Sequence, residues 1–284
     1  MNSLTLKSYA KLNLVLSILN KRPDGFHELK TIFERISLFD TITLKKTSGK
    51  ILIRCAHPHV PKGPKNLVYR VALILKQDFG ITQGVEIAIE KRIPVAAGLA
   101  GGSSNAATVL QGLNRLWNLG LSDAQLIAYA AAIGSDVAFF LYDSPYALGE
   151  GRGEKIKALP IKTKLWHVLV TPRLKVYTKD VFGALNLKLT RKKDDVNILL
   201  PFLKEDNLYS ICSNLSNDLE PAILALKPHL GLLKDKLLDA GALGVCFSGS
   251  GPSVFALAKS QKHAQAIRAA FDKRFAQVFV VSTI

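Results

Sequence analysis

Cysteine is scarce in this chain of 284 residues. Cys55, Cys212 and Cys246 lie far apart, without the paired spacing of a disulfide framework or a zinc site, which fits a reducing compartment. Long apolar runs are also missing, and no window approaches the roughly 18 consecutive apolar residues that span a bilayer. The opening stretch MNSLTLKSYAKLNLVLSI sets Lys7 and Lys11 among apolar residues, so it lacks the continuous apolar core of a signal peptide, and a cytoplasmic location is expected. Acidic residues are few, 22 against 38 basic ones, giving a net charge of +16. Such an excess attracts nucleic acid, membrane surface or small polyanions without choosing among them. The basic residues are spread along the chain, and the densest run, KLTRKKDD from Lys188, reads as a solvated loop. Arginine and aromatic residues do not alternate as in an RNA-stacking sheet. Low-complexity tracts and repeats of solenoid period are absent.

A hydrophobic content of 48% is enough for a sizeable core, and the length suits two ordinary domains or one large one. Leu4 to Leu19 alternates as a strand does, and the Pro-Asp-Gly of NKRPDGFHE turns the chain into a second apolar run. Helical spacing follows over Asn66 to Phe79, strand alternation over GVEIAIEKRI, and helical spacing again from Ala106 to Trp117. Ser122 and Gln125 have capping-box spacing ahead of a helix that stops at Gly134. Gly149, Gly151, Gly153 and Pro160 punctuate short strands, with a boundary expected near Leu159 to Lys164. The order then resets. WHVLVTP reads as a strand, Thr178 to Leu185, Asn217 to Leu226 and Lys227 to Ala240 as helices, and ALGVCFS and SVFALA as strands around a GSGP turn. A helix through Arg274 and the strand QVFVVSTI complete a β-α-β-β-α-β order with an inserted helix. That order suits an α+β sandwich whose sheet is covered on one face.

Four short stretches could carry chemistry. In GLAGGSSN, Gly98 to Asn105, the bare backbone of Gly101 and Gly102 allows close approach by a ligand, and a helix start offers unpaired amides that favour phosphate. The same small residues could instead let a helix pack closely on a strand. A Walker loop would need a lysine where Ser103 stands, and no strand-borne G-x-G-x-x-G supports a dinucleotide fold. In YAKLNLVL, Lys11 and Asn13 share one strand face, where an ammonium and an amide could hold a hydroxyl or a phosphate, or simply mark alternation. Asp136 in GSDVAFF is a lone carboxylate that could be a base or a cap. Gly249, Ser250 and Gly251 in FSGSGPSVF form a glycine turn that a hairpin alone would explain.

Taken in order, these stretches resemble the GHMP kinase family, whose marks are an amino-terminal strand motif, a central P-x-x-x-G-L glycine-serine loop and a late glycine turn. Pro94, Gly98 and Leu99 fit the central motif. AKLNL, RPDGFHEL, NLVYRV, KRIPVAAGLAGGSSNAA, GSDVAFF, NDLE and SGSGPSVF extend the likeness over essentially the whole chain, nearest to a member whose substrate carries a cytidine diphosphate group. The resemblance implies an α+β two-domain GHMP kinase fold. Its N-terminal part would be ribosomal protein S5 domain 2-like and its C-terminal part a ferredoxin-like α/β sandwich. Residues 1–160 would form the ATP-binding and catalytic domain, and 161–284 a C-terminal domain contributing to the substrate cleft.

The roles the resemblance implies are these. Asp136 would be the base and Lys11 its cationic partner, with Asn13 orienting the substrate hydroxyl. ATP as co-substrate would lie on Pro94, Val95, Ala96, Ala97, Gly98, Leu99, Ala100, Gly101, Gly102, Ser103, Ser104 and Asn105, with Gly249, Ser250 and Gly251 completing its site. Asn66, Leu67 and Lys91 would border the adenine. His27 would read the cytosine edge, Phe26 would stack on the base, and Phe182 would cover the other face or belong to the core. Mg2+ would accompany ATP, with Ser104 a candidate ligand. A monomer or weak homodimer that binds neither nucleic acid nor membrane is expected. Relatives often carry glycine at Ala96, Ala97 and Ala100, proline at Ala138 and tyrosine at Phe26 and Phe182. A GHMP kinase for another alcohol, and a kinase-like nucleic-acid-binding protein, are the alternatives.

Overall fold

The computed structural model describes residues 2–186, 195–272 and 276–284. The run from Lys188 expected to be a solvated loop lies, apart from Asp195, outside the described residues, as does Arg274. The chain divides into two units. One comprises Met1–Ala10, Leu38–Val95 and Ala100–Asp143, and the other Lys11–Ser37, Ala96–Leu99 and Ser144–Ile284. These interleave along the sequence, whereas the division expected at residue 160 separates consecutive stretches. Two long strands, β1 (Ser3–Lys21) and β2 (His27–Thr47), contribute residues to both units.

In the first unit, Thr41 to Thr47 of β2 pair antiparallel with β4 (Gly84–Glu90), which runs parallel to β3 (Ile51–Cys55). Alternation drives this: Ile42, Leu44, Val85, Ile87 and Ile89 are buried while their neighbours are less so. Helix α1 (Leu67–Asp78) lies between β3 and β4, and α2 (Gly101–Leu116) and α3 (Asp123–Ile133) follow β4, then a 3-10 turn, Ala138–Leu141. Asn66 caps α1 by accepting from the Val68 amide. Ser122 and Gln125 form the expected capping box at α3. Helix α2 buries Ala106, Val109, Leu110 and Leu113, and its Gly112 lies so near the sheet that a Cβ there would meet Leu44 Cδ1 at 2.4 Å.

In the second unit, Leu29 to Glu34 of β2 pair antiparallel with β5 (Tyr146–Gly151), which pairs in turn with β6 (Lys155–Leu159). Val15 and Leu16 of β1 run parallel to a two-residue strand, β8 (Ser216–Asn217). A second sheet has the order β11 (Ala276–Ser282), β7 (Trp166–Pro172), β10 (Val254–Ala258), β9 (Gly244–Phe247), all neighbours antiparallel. In chain order that is fourth, first, third, second, as in a ferredoxin-like sandwich. Helices α4 (Thr178–Gly183), α5 (Asp195–Lys204), α6 (Leu208–Ser213), α7 (Glu220–Leu226) and α8 (His229–Asp239) separate β7 from β9, and α9 (Gln261–Ala269) separates β10 from β11. Val168, Val170, Phe247, Val254, Leu230, Leu237 and Ile267 form the core of this part.

Two expectations are corrected. Asn217 belongs to strand β8, so the helix expected from Asn217 begins at Glu220, where Pro221 suits a first helical turn. Between β7 and β9, where three helices were expected, the described residues carry five, α5 and α6 being the additions.

Candidate active site

Helix α2 starts without a side-chain cap. Ala100 occupies its N-cap in the left-handed region at φ 53° and offers no side-chain acceptor. The first amide to enter the helical ladder there is that of Ser104, which donates to Ala100 O at 2.9 Å. The amides of Gly101, Gly102 and Ser103 therefore remain first-turn donors at the positive end of the helix dipole.

The glycines around this turn serve different ends. A Cβ on Gly101 would meet Ile93 Cγ2 at 2.9 Å, and one on Gly98 would meet Ser248 O at 2.0 Å, so both are needed for packing within the protein. Gly102 is exposed and would find nothing within 4 Å. Close packing, one of the two readings left open by the sequence, thus falls on Gly98 and Gly101, while Gly102 has open space beside it.

Below the turn lies a buried polar cluster. Asp40 Oδ1 accepts the amides of Arg92 and Ile93 at 2.8 and 2.9 Å. Asp40 Oδ2 accepts Asn105 Nδ2 at 2.9 Å and the Lys91 ammonium. Asn105 Nδ2 also donates to Ser8 Oγ at 2.8 Å, and Ser8 and Ser104 share a hydroxyl bond of 2.7 Å. Lys91, Ser104 and Asn105, all expected at the nucleotide, meet here, while Asn66 and Leu67 lie at the start of α1. Ser8 and Asp40 were not singled out from the sequence. Asp136 is half-buried in the turn that follows α3.

In the second unit, Lys11 and Asn13 share a face of β1 as expected. Lys11 Nζ donates to Asn13 Oδ1 at 2.5 Å, and Asn13 Nδ2 donates to Thr31 Oγ1 at 2.8 Å. Lys11 is 4% exposed and its ammonium stands 5.3 Å from the centre of the Phe33 ring. The stretch Ala96–Leu99 is tied in by Lys11 N, which donates to Leu99 O at 3.2 Å, and by Ser248 Oγ, which donates to Gly98 O at 2.9 Å. Residues 248–253 connect the antiparallel β9 and β10, so the glycine turn is a hairpin that also receives Gly98. Asn217 holds that turn: its Nδ2 donates to Phe247 O at 3.0 Å and to Gly249 O at 2.8 Å. Ser250 Oγ pairs with Thr178 Oγ1.

The rings of His27 and Phe182 lie 5.2 Å apart at 30°. Phe182 packs partly on the core beneath, one of the two positions considered for it. Phe26 is 54% exposed, with the Arg152 guanidinium 4.9 Å from its ring centre. Partial burial, and after it the Lys21 ammonium, hold the His27 imidazole below its ordinary 6.5. A neutral imidazole at pH 7 offers one donor and one acceptor.

Among the described residues no group of three or more His, Cys, Asp or Glu side chains gathers as a metal site. Asp40 already receives four donors and Ser104 is 1% exposed, so this cluster does not fit a magnesium cage. No helix among the described residues is long and apolar enough to cross a membrane.

Comparison with known proteins gives two family matches: the GHMP kinases N terminal domain over residues 66–144 and the GHMP kinases C terminal domain over 199–277. The chain is 42% identical to 4-diphosphocytidyl-2-C-methyl-D-erythritol kinase of Exiguobacterium sibiricum over 93% of its own length and 92% of the relative's. To the enzyme of the same name from Brevibacillus brevis it is 40% identical, covering 98% and 95%. A crystal structure of 4-(cytidine 5'-diphospho)-2C-methyl-D-erythritol kinase superposes with a TM-score of 0.86 at 33% identity, covering 98% of each chain. Homoserine kinase from Cytophaga hutchinsonii follows at 0.79 and 25% identity, covering 100% of this chain and 95% of that one.

Proposed function

The chain belongs to the GHMP kinase family, and we propose that within it this protein transfers the γ-phosphoryl group of ATP to the 2-hydroxyl of 4-diphosphocytidyl-2-C-methyl-D-erythritol. The products are the 2-phosphate and ADP, and the step belongs to non-mevalonate isoprenoid precursor biosynthesis. The observation that carries the nucleotide half is the uncapped first turn of α2, with open space at Gly102. The relatives named above, 40 and 42% identical over nearly their full lengths, support the choice of acceptor.

In this reading the amides of Gly101, Gly102 and Ser103 hold the ATP phosphates, where a Walker loop would add a lysine. The rest of Pro94 to Asn105 shapes the loop, Gly249 to Gly251 support it, and Asn66, Leu67 and Lys91 border the adenine. Asp136 accepts the proton of the substrate hydroxyl as its oxygen bonds to the γ-phosphorus and the bond to the β,γ-bridging oxygen breaks. The Lys11 ammonium favours the alkoxide and offsets charge on the transferring group, and Asn13, held by Thr31, orients the hydroxyl. Phe26 and Phe182 offer ring faces to cytosine, and neutral His27 pairs with its edge.

Mg2+ would neutralise charge on the β- and γ-phosphates. Since the buried cluster offers no cage and Ser104 is 1% exposed, the ion would draw its ligands from phosphate oxygens and water. We place the protein in the cytoplasm, as a monomer or weak homodimer.

The test is ADP release with the cytidyl substrate, homoserine and mevalonate, on the wild type and Asp136→Asn. Turnover of the cytidyl compound alone, lost by a factor of about 100 or more in a variant that still binds ATP, is expected. Absence of turnover with the cytidyl compound overturns the reading.

A further inference from the structure

Asp40 joins, through one carboxylate, the two pieces of chain that flank the loop Pro94 to Ala100. On the entry side its Oδ1 receives two successive amides, Arg92 and Ile93, and its Oδ2 receives the Lys91 side chain. On the exit side the same Oδ2 receives Asn105 from the second turn of α2. Both hydrogens of the Asn105 amide are used, one on Asp40 and one on Ser8. The cluster is shielded from solvent: Asp40 is fully buried, Ser8 is 1% and Asn105 4% exposed.

A hydrophobic side chain would serve packing at this point of β2 at lower cost, because a buried carboxylate must have its donors in place or lose several kcal/mol of solvation. What the carboxylate supplies is geometry. Four donors on two oxygens fix the distance and the roll of α2 relative to residues 91–93, and so where the amides of Gly101 to Ser103 point.

We infer that Asp40 is the positioning residue of the phosphate-binding turn: by clasping residues 91–93 and Asn105 together it aims the first amides of α2, without touching ATP itself. This rests on the reading that those amides hold the ATP phosphates. Asp40→Asn keeps the shape and one acceptor for the backbone amides but turns an NH2 toward the Lys91 ammonium and Asn105. The clasp then opens on its α2 side.

The experiment is steady-state kinetics of the full chain, with ATP and the cytidyl compound varied in turn, beside thermal unfolding and amide hydrogen exchange. In Asp40→Asn the KM for ATP is expected to rise on the order of tenfold, the effect of one charge-assisted hydrogen bond. The KM for the cytidyl compound should stay within about threefold, since this turn does not hold it. A folded Asp40→Asn whose KM for ATP is unchanged, or one in which kcat alone falls, overturns the inference. Should that variant fail to fold, Asn105→Ala keeps the three donors of residues 91–93 on Asp40 and removes the arm of the clasp that reaches α2. A rise of about threefold in the KM for ATP supports the clasp, and no change sinks it.

If the wild type turns over no ATP at all, the functional reading fails by itself and exchange decides the clasp. Faster exchange at the hydrogen-bonded amides of Arg92, Ile93 and Ser104 in whichever of the two variants folds supports it, and unchanged exchange there overturns it.

Discussion

Gly98 and Ser248, 150 residues apart in the chain, are in such close contact that Ser248 Oγ donates to the Gly98 carbonyl at 2.9 Å and a Cβ on the glycine would lie 2.0 Å from the Ser248 carbonyl oxygen. Gly98 also has φ 75°. A methyl group at this position faces both a steric clash and an unfavourable backbone region, so Gly98→Ala should destabilise the protein by about 3 kcal/mol or more. Denaturant unfolding measures this, and a loss under about 1 kcal/mol would contradict the geometry.

Gly102→Ala should behave in the opposite sense. With nothing within 4 Å of the added carbon, stability is expected to hold or to rise by up to about 1 kcal/mol, the helix-propensity gain of alanine. ATP binding should weaken by about tenfold or more, because the methyl stands where the phosphate oxygens would approach. A variant that binds ATP like the wild type removes the phosphate role of this residue.

Much of this was legible in the sequence where the signal is local. The Ser122 and Gln125 capping box and the shared face of Lys11 and Asn13 each depend on residues within a few positions of one another. Strand β8 escaped because two residues carry no periodicity, and its pairing with Val15 and Leu16 is set from far away. Helix α5 escaped because Pro201 interrupts the pattern that would mark it. Asp40 escaped for a physical reason too: its partners are 51 to 65 residues distant, so one acidic residue in an alternating strand looks like any exposed carboxylate. NDLE was recognised as part of the family likeness, but only the structure gives Asn217 its role of holding the Gly249 turn.

The alanines of the loop carry a cost that glycine would lack. Ala96 and Ala100 sit at φ 55° and 53°. The left-handed region costs an alanine about 1–2 kcal/mol, and the greater freedom of an unfolded glycine returns about 0.5–1 kcal/mol of that. Ala96→Gly and Ala100→Gly should therefore each stabilise the chain by about 0.5–1 kcal/mol. Thermal unfolding of either variant at a lower temperature than the wild type would refute this.

Acid should weaken substrate binding through His27. Burial lowers its pKa beneath 6.5, so the imidazole, which in the proposed reading pairs with cytosine, stays neutral from pH 8 to about 6.5 and gains a proton only below that. The KM for the cytidyl compound is expected to be flat over the first interval and to climb as pH falls further. In His27→Asn, which keeps a donor and an acceptor without titrating, the climb should vanish. A climb that persists there assigns it to another group.

The cysteines should be silent in the native state. Cys55, Cys212 and Cys246 are buried thiols outside any disulfide, and burial pushes the Cys212 thiol up to about 12. An aromatic disulfide reagent at pH 8 is expected to modify none of them until guanidinium is added, after which all three react. Fast labelling of the native protein would count against the packing around β9 and α6.

The interleaving of the two units bears on how the chain is made. Unit one has all its residues once Asp143 has been synthesised, whereas unit two holds Lys11–Ser37 and must wait for Ser144–Ile284. The flanks of that early hairpin, which later take β5 on one side and β8 on the other, stay unpaired while the second half of the protein is still emerging. Open strand flanks invite pairing with other chains. The vulnerable interval in the life of this protein is thus its own translation, and the residues exposed in it are the ones that later carry Lys11 and Asn13.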